Sequence, residues 1–454
     1  MRSKNIKNIA VIGAGYVGLS TAVVLANTGY KVSLIENNDK RLKTLKTGKS
    51  FFFEAGVNEL LSYALNYKYL TITSDAHTVL DSSDIIFSCV GTPENPDGSS
   101  NLRYVYEVAE LVAMQAKNNC IFVQKSTVPV GTGQKIEDIF HENGCNIKYA
   151  SNPEFLREGT AIIDTLYFDR IVIGSNSKLA AKTVLDTYKS VEQKREKLAN
   201  IANIKPAKNK PGKYIITTRN SAELTKVTAN AFLALKISFA NSIAKLADAT
   251  GSDIREVMDA VGEDKRIGRS FLNAGRGYGG GCFPKDVSGL IRSAEQYGID
   301  MSIMTAAQDI NESMPSYITK KAKKAMGTLK GKNVAVLGLA FKAGTSDARK
   351  SPGVKIANIL DKAGAIVTAY DPRAMDEAKK DLRKNVNLSK STKDAIKNKD
   401  AIFIAVDWPE FQYLGYPDEL SNCDGVLLVD AVNYYDTDYI KLLGFKYLGV
   451  GRSY

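Results

Sequence analysis

Short apolar runs separated by helix-length segments recur along the first half of the chain. Residues 8–13 (NIAVIG) and 31–36 (KVSLIE) flank a stretch with helical character. Further apolar strands are predicted at residues 84–90, 120–125, 147–150 and 170–173. Strands that alternate with helix-length segments are typical of a parallel sheet with crossover helices. The first half therefore reads as a doubly wound α/β domain.

The same alternation returns later in the chain and predicts a second, smaller α/β domain. Its strands are predicted at residues 332–338, 365–370, 401–406, 425–430 and 446–450. Between the two domains, residues 221–248 read as one long helix with apolar side chains at helical spacing, namely Leu224, Val227, Ala231, Leu235, Phe239 and Ile243. These side chains cover more than one stripe, which predicts burial between domains and against a second subunit. We expect an α/β fold with two Rossmann-like doubly wound domains and a helical middle, divided at 1–214, 215–325 and 326–454.

Composition agrees with a soluble protein of two or three domains, since the chain has 454 residues with 44% hydrophobic and 24% charged. The five cysteines are an odd number without a CxxC pair, which argues against a disulfide framework or a thiolate zinc site and favours a reducing compartment. The first residues lack the apolar core of a signal peptide, and no apolar run approaches the ~20 residues that span a bilayer. We expect a cytoplasmic protein without a membrane partner.

The net charge of +12 favours anionic partners. Residues 189–213 hold eight Lys or Arg against two Glu, and we interpret this stretch as a solvated surface loop. Neither an aromatic RNA platform nor a recognition helix accompanies it, so nucleic-acid binding is not favoured. Only two histidines, His77 and His141, are present. Two histidines nearly exclude imidazole metal sites and Ser-His catalysis. No metal is expected, and any base must be a carboxylate, a lysine or an activated water.

The segment Gly13-Ala14-Gly15-Tyr16-Val17-Gly18 is a GxGxxG motif between a predicted strand and a predicted helix. Its glycines let the backbone approach a pyrophosphate at the helix N-terminus. Glu36 ends the next strand, where a carboxylate bonds the ribose hydroxyls and repels a 2′-phosphate, so NAD is expected rather than NADP. A second turn at residues 338–342 lacks the motif. It either holds a different nucleotide, with Lys342 near a phosphate, or is a decayed strand-to-helix turn.

The stretch from residue 275 to 286 (GRGYGGGCFPKD) predicts a reactive cysteine. Five glycines in seven positions contribute no apolar area but permit close approach of backbone to a ligand. Cys282 follows them, with Asp286 four residues later as a nearby base. Lys285 favours the thiolate. The other four cysteines, Cys89, Cys120, Cys145 and Cys423, are expected to be buried and inert.

The sequence resembles the UDP-glucose 6-dehydrogenase group of nucleotide-sugar dehydrogenases, in the UDP-glucose/GDP-mannose dehydrogenase family. The matching segments occur in family order and cover nearly the whole chain. They are GAGYVGL (13–19), VGTPENPDGS (90–99), STVPVGT (126–132), NPEFLREGTAI (152–162), AELTKVTANAFLALK (222–236), GYGGGCFPKD (277–286) and GLAFKAGTSDAR (338–349).

The resemblance implies two successive hydride transfers to NAD⁺ at one carbon, UDP-glucose + 2 NAD⁺ + H₂O → UDP-glucuronate + 2 NADH + 3 H⁺. Cys282 matches the nucleophile that carries a thiohemiacetal and then a thioester. Lys226 and Asn230 match the pair that stabilises the oxyanion, and their four-residue spacing puts them on one helix face. Asp286 and Glu154 match carboxylates that manage protons and the hydrolytic water, which Thr127 helps to position.

The resemblance also assigns binding residues and domain roles. NAD contacts match Gly13, Gly15, Tyr16, Val17, Gly18, Glu36, Arg41, Thr92, Thr127, Glu158 and Arg349. Substrate-facing positions match Glu154, Phe155, Leu156, Lys226, Asn230, Phe271, Tyr278, Gly279, Phe341 and Lys342. Arg266 matches an arginine that reaches into the neighbouring subunit's site, which implies a homodimer or a larger homo-oligomer. In this assignment, 1–214 binds NAD, 215–325 carries the cysteine loop and the dimer contact, and 326–454 binds the UDP-sugar.

One departure from the family pattern concerns the substrate. The family usually has an arginine in an Asp-x-Arg-Asn element near the C-terminus, and here Val432 takes its place. A charged contact to the sugar or phosphate is therefore lost or moved. The alternatives are the same chemistry on GDP-mannose or a UDP-N-acetylhexosamine, or a binding protein that senses NAD or a nucleotide sugar without turnover.

Overall fold

The computed structural model describes residues 6–206, 212–412, 414 and 425–452. The chain divides into two compact units, Met1–Ala229 and Asn230–Tyr454, and the division falls inside one continuous helix. The expected three-part division at 1–214, 215–325 and 326–454 stays a prediction.

Unit 1, residues 1–229, contains an eight-stranded sheet in the order β3-β2-β1-β4-β5-β6-β7-β8. Its strands are β1 (Asn8–Ile12), β2 (Lys31–Ile35), β3 (Leu70–Thr73), β4 (Ile85–Ser88), β5 (Ile121–Gln124), β6 (Lys148–Ser151), β7 (Arg170–Gly174) and β8 (Lys213–Thr217). The first six strands follow the doubly wound order of dinucleotide-binding domains and pair in parallel. β6 and β7 pair antiparallel through Ser151 and Gly174, which departs from the parallel sheet that the sequence predicts.

Helices cover both faces of this sheet. They are α1 (Tyr16–Thr28), α2 (Asp39–Lys46), α3 (Val57–Asn66), α4 (His77–Leu80), α5 (Arg103–Gln115), α6 (Thr132–Glu142), α7 (Ala161–Leu166), α8 (Lys178–Ile201) and the start of α9 (Arg219–Thr250). Side chains alternate between the two faces of each strand. Ile9 and Val11 accordingly belong to one hydrophobic core, whereas Ala10 and Ile12 belong to another.

Unit 2, residues 230–454, contains a six-stranded parallel sheet in the order β11-β10-β9-β12-β13-β14. Its strands are β9 (Asn333–Leu337), β10 (Ile366–Tyr370), β11 (Asn387–Leu388), β12 (Ala401–Ile404), β13 (Leu427–Asp430) and β14 (Lys446–Gly449). Its helices after α9 are α10 (Ile254–Gly262), α11 (Phe283–Glu295), α12 (Ser302–Met326), α13 (Pro352–Lys362), α14 (Met375–Ala378), α15 (Thr392–Ile396) and α16 (Thr437–Leu442). The expected fold class, two Rossmann-like sheets with a long central helix and a helical middle, is confirmed.

The prediction of a surface loop at residues 189–213 is wrong for most of that stretch. Residues up to Ile201 complete α8, and Lys213 begins β8. Val184, Val191 and Leu198 recur every seven residues along α8 and are fully buried, so the lysines occupy only its outer face. Residues 207–211 lie outside the described residues.

The long helix α9 confirms the prediction for residues 221–248 and extends it at both ends. Of its predicted core positions, Val227 and Ala231 are buried, whereas Leu224 and Phe239 are about half exposed. Among the described residues, α9 is the one helix whose length and hydropathy would suffice to cross a membrane. Its first turns, however, carry buried Arg219, Glu223 and Lys226 in polar contacts within unit 1. Such contacts are those of a helix packed inside a protein.

The histidines and the described cysteines differ in burial. His77 and His141 are exposed, and they lie in α4 and α6. Cys89 and Cys120 are buried as expected, whereas Cys145 is only half-buried. Cys423 lies outside the described residues.

Candidate active site

The glycine turn of unit 1 connects β1 to α1 and leaves room for a ligand at one position. Gly13 has φ +96°, and a Cβ there would lie 2.8 Å from the carbonyl oxygen of Cys89. A Cβ on Gly18 would lie 1.8 Å from the carbonyl oxygen of Gly13. A Cβ on Gly15, by contrast, would meet nothing within 4 Å. The first and third glycines therefore serve the turn and the packing, while the second faces open space.

The N-terminus of α1 fits a pyrophosphate. Gly15 is its N-cap, no side chain caps it, and its first turn holds no acidic residue. The N–H groups of its first turn receive no side-chain cap, and together with the helix dipole they suit an anion. Tyr16 and Val17 begin the helix, and the ring of Tyr16 lies 4.0 Å from that of Phe52.

The expected ribose-binding carboxylate, Glu36, lies next to this turn. It is 5% exposed, accepts a hydrogen bond from the backbone N–H of Ala14 at 3.3 Å, and lies 4.0 Å from the guanidinium of Arg41. The Arg41 guanidinium also stacks on the ring of Phe51 at 4.8 Å. The sequence reasoning missed Phe51 and Phe52, although the run of three phenylalanines at 51–53 was a signal.

Two predicted catalytic side chains of unit 1 form a buried ion pair. The Lys226 ammonium lies 3.0 Å from the Glu154 carboxylate, and their side chains are 5% and 8% exposed. The second Glu154 oxygen accepts the backbone N–H of Leu156 at 2.6 Å. The Phe155 ring lies under both the Lys226 ammonium, at 5.3 Å, and the Arg170 guanidinium, at 3.9 Å. The structure thus brings together Glu154, Phe155, Leu156 and Lys226.

Neighbouring loops of unit 1 are fixed by polar contacts. Thr92 donates its hydroxyl hydrogen to the carbonyl oxygen of Thr127 at 3.1 Å, which joins two predicted site residues. The carboxylate of Glu54 accepts the backbone N–H groups of Gly159 and Ala161 at 2.7 and 2.8 Å. Glu54 therefore orders the loop that carries Glu158, a role that the sequence reasoning did not assign.

The glycine-rich loop of unit 2 ends at Cys282, the N-cap of α11. Its glycines allow close approach of other backbone segments, because a Cβ on Gly279 would lie 2.5 Å from the carbonyl oxygen of Lys350. A Cβ on Gly281 would lie about as close to the Arg349 guanidinium, at 2.4 Å. Gly277 and Gly280 have φ +91° and +83°, which disfavours a side chain in any case. The glycine content thus serves close packing around an exposed cysteine.

Asn230 and Asp286 meet next to this loop. Asn230 donates its amide N–H to the Asp286 carboxylate at 2.6 Å, and both residues are buried. The other Asp286 oxygen lies 2.7 Å from the Lys285 ammonium. The Asp286 backbone N–H donates to the carbonyl oxygen of Cys282. Cys282 thus lies at the N-terminus of α11, where the Lys285 ammonium is paired with Asp286.

The second glycine turn, which begins at Gly338, is filled by the protein itself. The Asp371 carboxylate accepts the backbone N–H groups of Leu339 and Ala340 at 2.7 and 2.9 Å and the indole N–H of Trp408 at 3.1 Å. Helix α13 begins only at Pro352. Of the two sequence interpretations, this geometry favours the decayed turn.

The long connection from this turn to α13 holds three predicted site residues. The Phe341 ring contacts Gly280, since a Cβ there would lie 2.9 Å from it. The Lys342 ammonium lies 5.5 Å from the centre of the same ring. The Arg349 guanidinium pairs with Asp347.

The remaining predicted substrate residues are spread over unit 2. Phe271 and Tyr278 both place their rings about 6 Å from that of Phe283, at 6.2 and 5.9 Å. Burial raises the pKa of Tyr278 to about 12. The Arg266 side chain is 88% exposed and pairs with Asp264.

A cavity of about 220 Å³ opens at the carboxyl ends of β12 and β13. This edge is where open α/β sheets bind ligands. Val432 lines the cavity, and two guanidinium groups, those of Arg255 and Arg269, line it as well. The sequence reasoning missed both arginines. Within the described residues, no group of three His, Cys, Asp or Glu side chains is arranged to hold a metal ion.

These features define a dehydrogenase-type protein with one dinucleotide-binding unit and one unit whose glycine-rich loop carries an exposed cysteine. The chain matches three models of the UDP-glucose/GDP-mannose dehydrogenase family, the NAD binding domain at residues 7–192, the central domain at 220–313 and the UDP binding domain at 335–437. The chain therefore belongs to this family of NAD-dependent nucleotide-sugar dehydrogenases.

Named relatives agree with this membership. The chain is 37% identical to UDP-glucose 6-dehydrogenase of Rickettsia prowazekii over 448 residues, which cover 98% of this chain and 100% of that one. A UDP-glucose dehydrogenase structure from Pyrobaculum islandicum superposes with a TM-score of 0.87 at 37% identity and covers 99% of both chains. The UDP-D-ManNAc dehydrogenase of Pyrococcus horikoshii superposes with a TM-score of 0.83 at 27% identity and covers 98% of this chain and 99% of that one.

Proposed function

We propose that this protein oxidises UDP-glucose to UDP-glucuronate with two NAD⁺ and one water, through a thioester on Cys282. Cys282 at the start of α11, beyond a glycine loop and near Asp286 and Asn230, is the observation that carries the proposal. The relatives that align over the full chain at 37% identity and are named for UDP-glucose support this substrate.

Bound NAD⁺ supplies the acceptor for two hydrides that leave the same carbon. After the alcohol has lost a hydride and its hydroxyl proton, the Cys282 thiolate adds to the aldehyde carbon, and a C–S bond and an alkoxide form. Loss of the second hydride turns this adduct into the thioester. Water then attacks the thioester carbonyl, the C–S bond breaks, and the carboxylate and the Cys282 thiolate are released.

The proposed roles of the polar residues follow from where charge develops. Lys226 and Asn230 donate to the alkoxide, as an ammonium and an amide can. Glu154 and Asp286 accept and return the protons, and Thr127 helps to place the attacking water. The position of Glu154 supports this role, because its carboxylate lies 3.0 Å from the Lys226 ammonium, the proposed donor to the alkoxide.

We assign the uridine diphosphate to the carboxyl edge of the unit 2 sheet. The cavity of about 220 Å³ and its two arginines, Arg255 and Arg269, support this assignment because guanidinium groups pair well with phosphates. These arginines also offer a charged contact in the cavity where Val432 offers none. Phe155, Leu156, Phe271, Tyr278, Gly279, Phe341 and Lys342 remain predicted substrate contacts.

The amount of NADH formed from each nucleotide sugar decides between the proposed reaction and its alternatives. Limiting UDP-glucose with excess NAD⁺ should yield two NADH per sugar nucleotide, measured by absorbance at 340 nm. Cys282→Ser should abolish this turnover while UDP-glucose binding, measured by calorimetry, persists. NADH from GDP-mannose or a UDP-N-acetylhexosamine but not from UDP-glucose would overturn the substrate. Undiminished turnover of Cys282→Ser would overturn the thioester, and ligand binding without any NADH would favour the sensor.

We further propose that the protein is a cytoplasmic homodimer or a larger homo-oligomer. Three large side chains on α9, Phe232, Phe239 and Leu246, recur every seven residues and are 59%, 50% and 58% exposed. An exposed apolar row of this kind is typical of an interface. The exposed Arg266 side chain is available to a neighbouring subunit. The four described cysteines form no disulfide, which suits a reducing compartment.

A further inference from the structure

Glu223 is a buried carboxylate that none of the proposed catalytic steps uses. It lies on α9, three residues before Lys226, and is 2% exposed. Its two oxygens accept hydrogen bonds from the backbone N–H groups of Gly131 and Gly133, at 2.8 and 2.9 Å. The hydroxyl of Tyr149 donates to the same carboxylate at 3.3 Å.

These bonds tie α9 to the beginning of α6. Gly131 is the N-cap of α6, has φ +93°, and no side chain of its own turn caps the helix. Glu223 supplies that cap from a distant part of the chain, and its negative charge lies at the positive end of the α6 dipole. The loop between β5 and α6, residues 125–130, contains Thr127 four residues before Gly131 and is called the Thr127 loop.

The contact of Glu223 packs the start of α6 closely against α9. A Cβ added at Gly133 would lie 2.7 Å from a Glu223 oxygen and 2.6 Å from the Tyr149 ring. A shift of α6 along or away from α9 would therefore break both backbone hydrogen bonds. Such a shift would leave a buried carboxylate unsatisfied, which is costly.

We propose that Glu223 is a positioning residue, which holds the Thr127 loop in register with the Lys226–Glu154 pair. This inference rests on the proposed function, in which Thr127 places the water and Lys226 donates to the oxyanion. The bidentate bond of Glu223 fixes one element, and the ion pair of Lys226, three residues on in the same helix, fixes the other.

The variant Glu223→Gln tests the role because it keeps the volume but presents an NH₂ group to one of the two backbone donors. A misplacement of about 1 Å can cost about 100-fold in rate. We expect kcat to fall by about that factor, with the KM values for UDP-glucose and NAD⁺ within about threefold of the original protein.

Glu137→Gln is the matched control. Glu137 of α6 pairs with Arg219 of α9, so this variant weakens a second link between the same two helices without touching the α6 N-terminus. It should lower the melting temperature but leave kcat unchanged. An unchanged kcat in Glu223→Gln, or an equal loss in both variants, would overturn the positioning role.

A double variant separates positioning from an independent effect. If Glu223 acts through the Thr127 loop, Glu223→Gln should add little to the loss already caused by Thr127→Ala. If the kcat losses of the two single variants multiply in the double variant, the inference would be overturned. Hydrogen exchange gives a readout that does not need turnover, since the amides of Gly131 and Gly133 should exchange faster in Glu223→Gln than in Glu137→Gln. Equal protection in the two variants would overturn the role as well. If the original protein makes no NADH from UDP-glucose, the proposed function fails. The exchange result still shows whether Glu223 holds the N-terminus of α6.

Discussion

Gly15 allows the dinucleotide site to be tested apart from the fold. Its backbone has φ −65° and ψ −174°, a conformation open to any residue, and an added Cβ would meet no atom within 4 Å. At Gly18 the same Cβ would lie 1.8 Å from the carbonyl oxygen of Gly13. We therefore predict that Gly15→Ala folds normally and loses NAD, whereas Gly18→Ala loses the fold.

The expected magnitudes differ widely. For Gly15→Ala, the lower entropy of the unfolded chain favours folding by about 0.4–1 kcal/mol, and the poorer N-cap opposes it by a comparable amount. The melting temperature should then stay within about 4 °C. The methyl group occupies space that a pyrophosphate needs, and we expect at least a 100-fold weaker Kd, about 2.7 kcal/mol. For Gly18→Ala the clash with backbone should exceed about 4 kcal/mol.

Circular dichroism and calorimetry measure the two quantities separately. The melting curve is recorded without cofactor, and NAD⁺ is then titrated into each folded variant. A Gly15→Ala protein that binds NAD⁺ within threefold of the original Kd would refute the assignment of this turn. A Gly18→Ala protein with an unchanged melting temperature would refute the packing argument.

Three further predictions concern charge and assembly. Breaking the buried Lys226–Glu154 pair by Lys226→Met leaves a buried carboxylate, which should cost about 3–5 kcal/mol. The double variant with Glu154→Gln should recover much of the lost melting temperature, and additive losses would contradict the pair. Burial raises the pKa of Asp84, but the hydrogen bond from Lys117 and two backbone N–H bonds outweigh it and lower this pKa below its usual value. Asp84 then stabilises the fold above pH of about 4 and loses this effect as the pH falls through its lowered pKa. Asp84→Asn should accordingly melt earlier at pH 7, with a gap that closes under acid, and a constant gap would refute the linkage. Phe239→Glu should halve the mass seen by sedimentation if the exposed row on α9 is an interface, and an unchanged mass would exclude that surface.

The fold was predictable where local pattern and tertiary role agree. The long helix α9 and the buried strands β1, β4 and β9 show their period directly in the sequence. Strand β8 was missed because its apolar run is only three residues long and follows a lysine-rich stretch, and in the structure it is an edge strand. Helix α8 was misread beyond residue 189 because its many lysines outweighed the few buried positions there, Val191, Leu198 and Ala199.

The site was predictable as a set of residues but not as a network. Motifs pointed to Lys226 and Glu154 separately, yet 72 positions separate them in the chain and only folding pairs them. The same holds for Glu223, whose partners Gly131 and Gly133 offer backbone groups that no sequence pattern marks. Local chemistry is thus visible in the sequence, while long-range hydrogen bonds to backbone are not.

The two sheets use the acidic residue after their second strand differently, and this limits where NAD binds. In unit 1, Glu36 accepts one turn N–H at 3.3 Å and α1 is left without a side-chain cap. In unit 2, Asp371 accepts two turn N–H groups at 2.7 and 2.9 Å, so a pyrophosphate would have to displace a protein carboxylate. Ser351 also caps α13, whose first residue is Pro352 and has no N–H to offer.

The number of NAD⁺ molecules bound per chain checks this difference. Because α1 has no side-chain cap, whereas Asp371 fills the turn of unit 2, equilibrium dialysis should give one NAD⁺ per chain. Gly15→Ala should remove it entirely. A remaining site in Gly15→Ala, or two sites in the original protein, would mean that the turn at Gly338 accepts a dinucleotide in spite of Asp371.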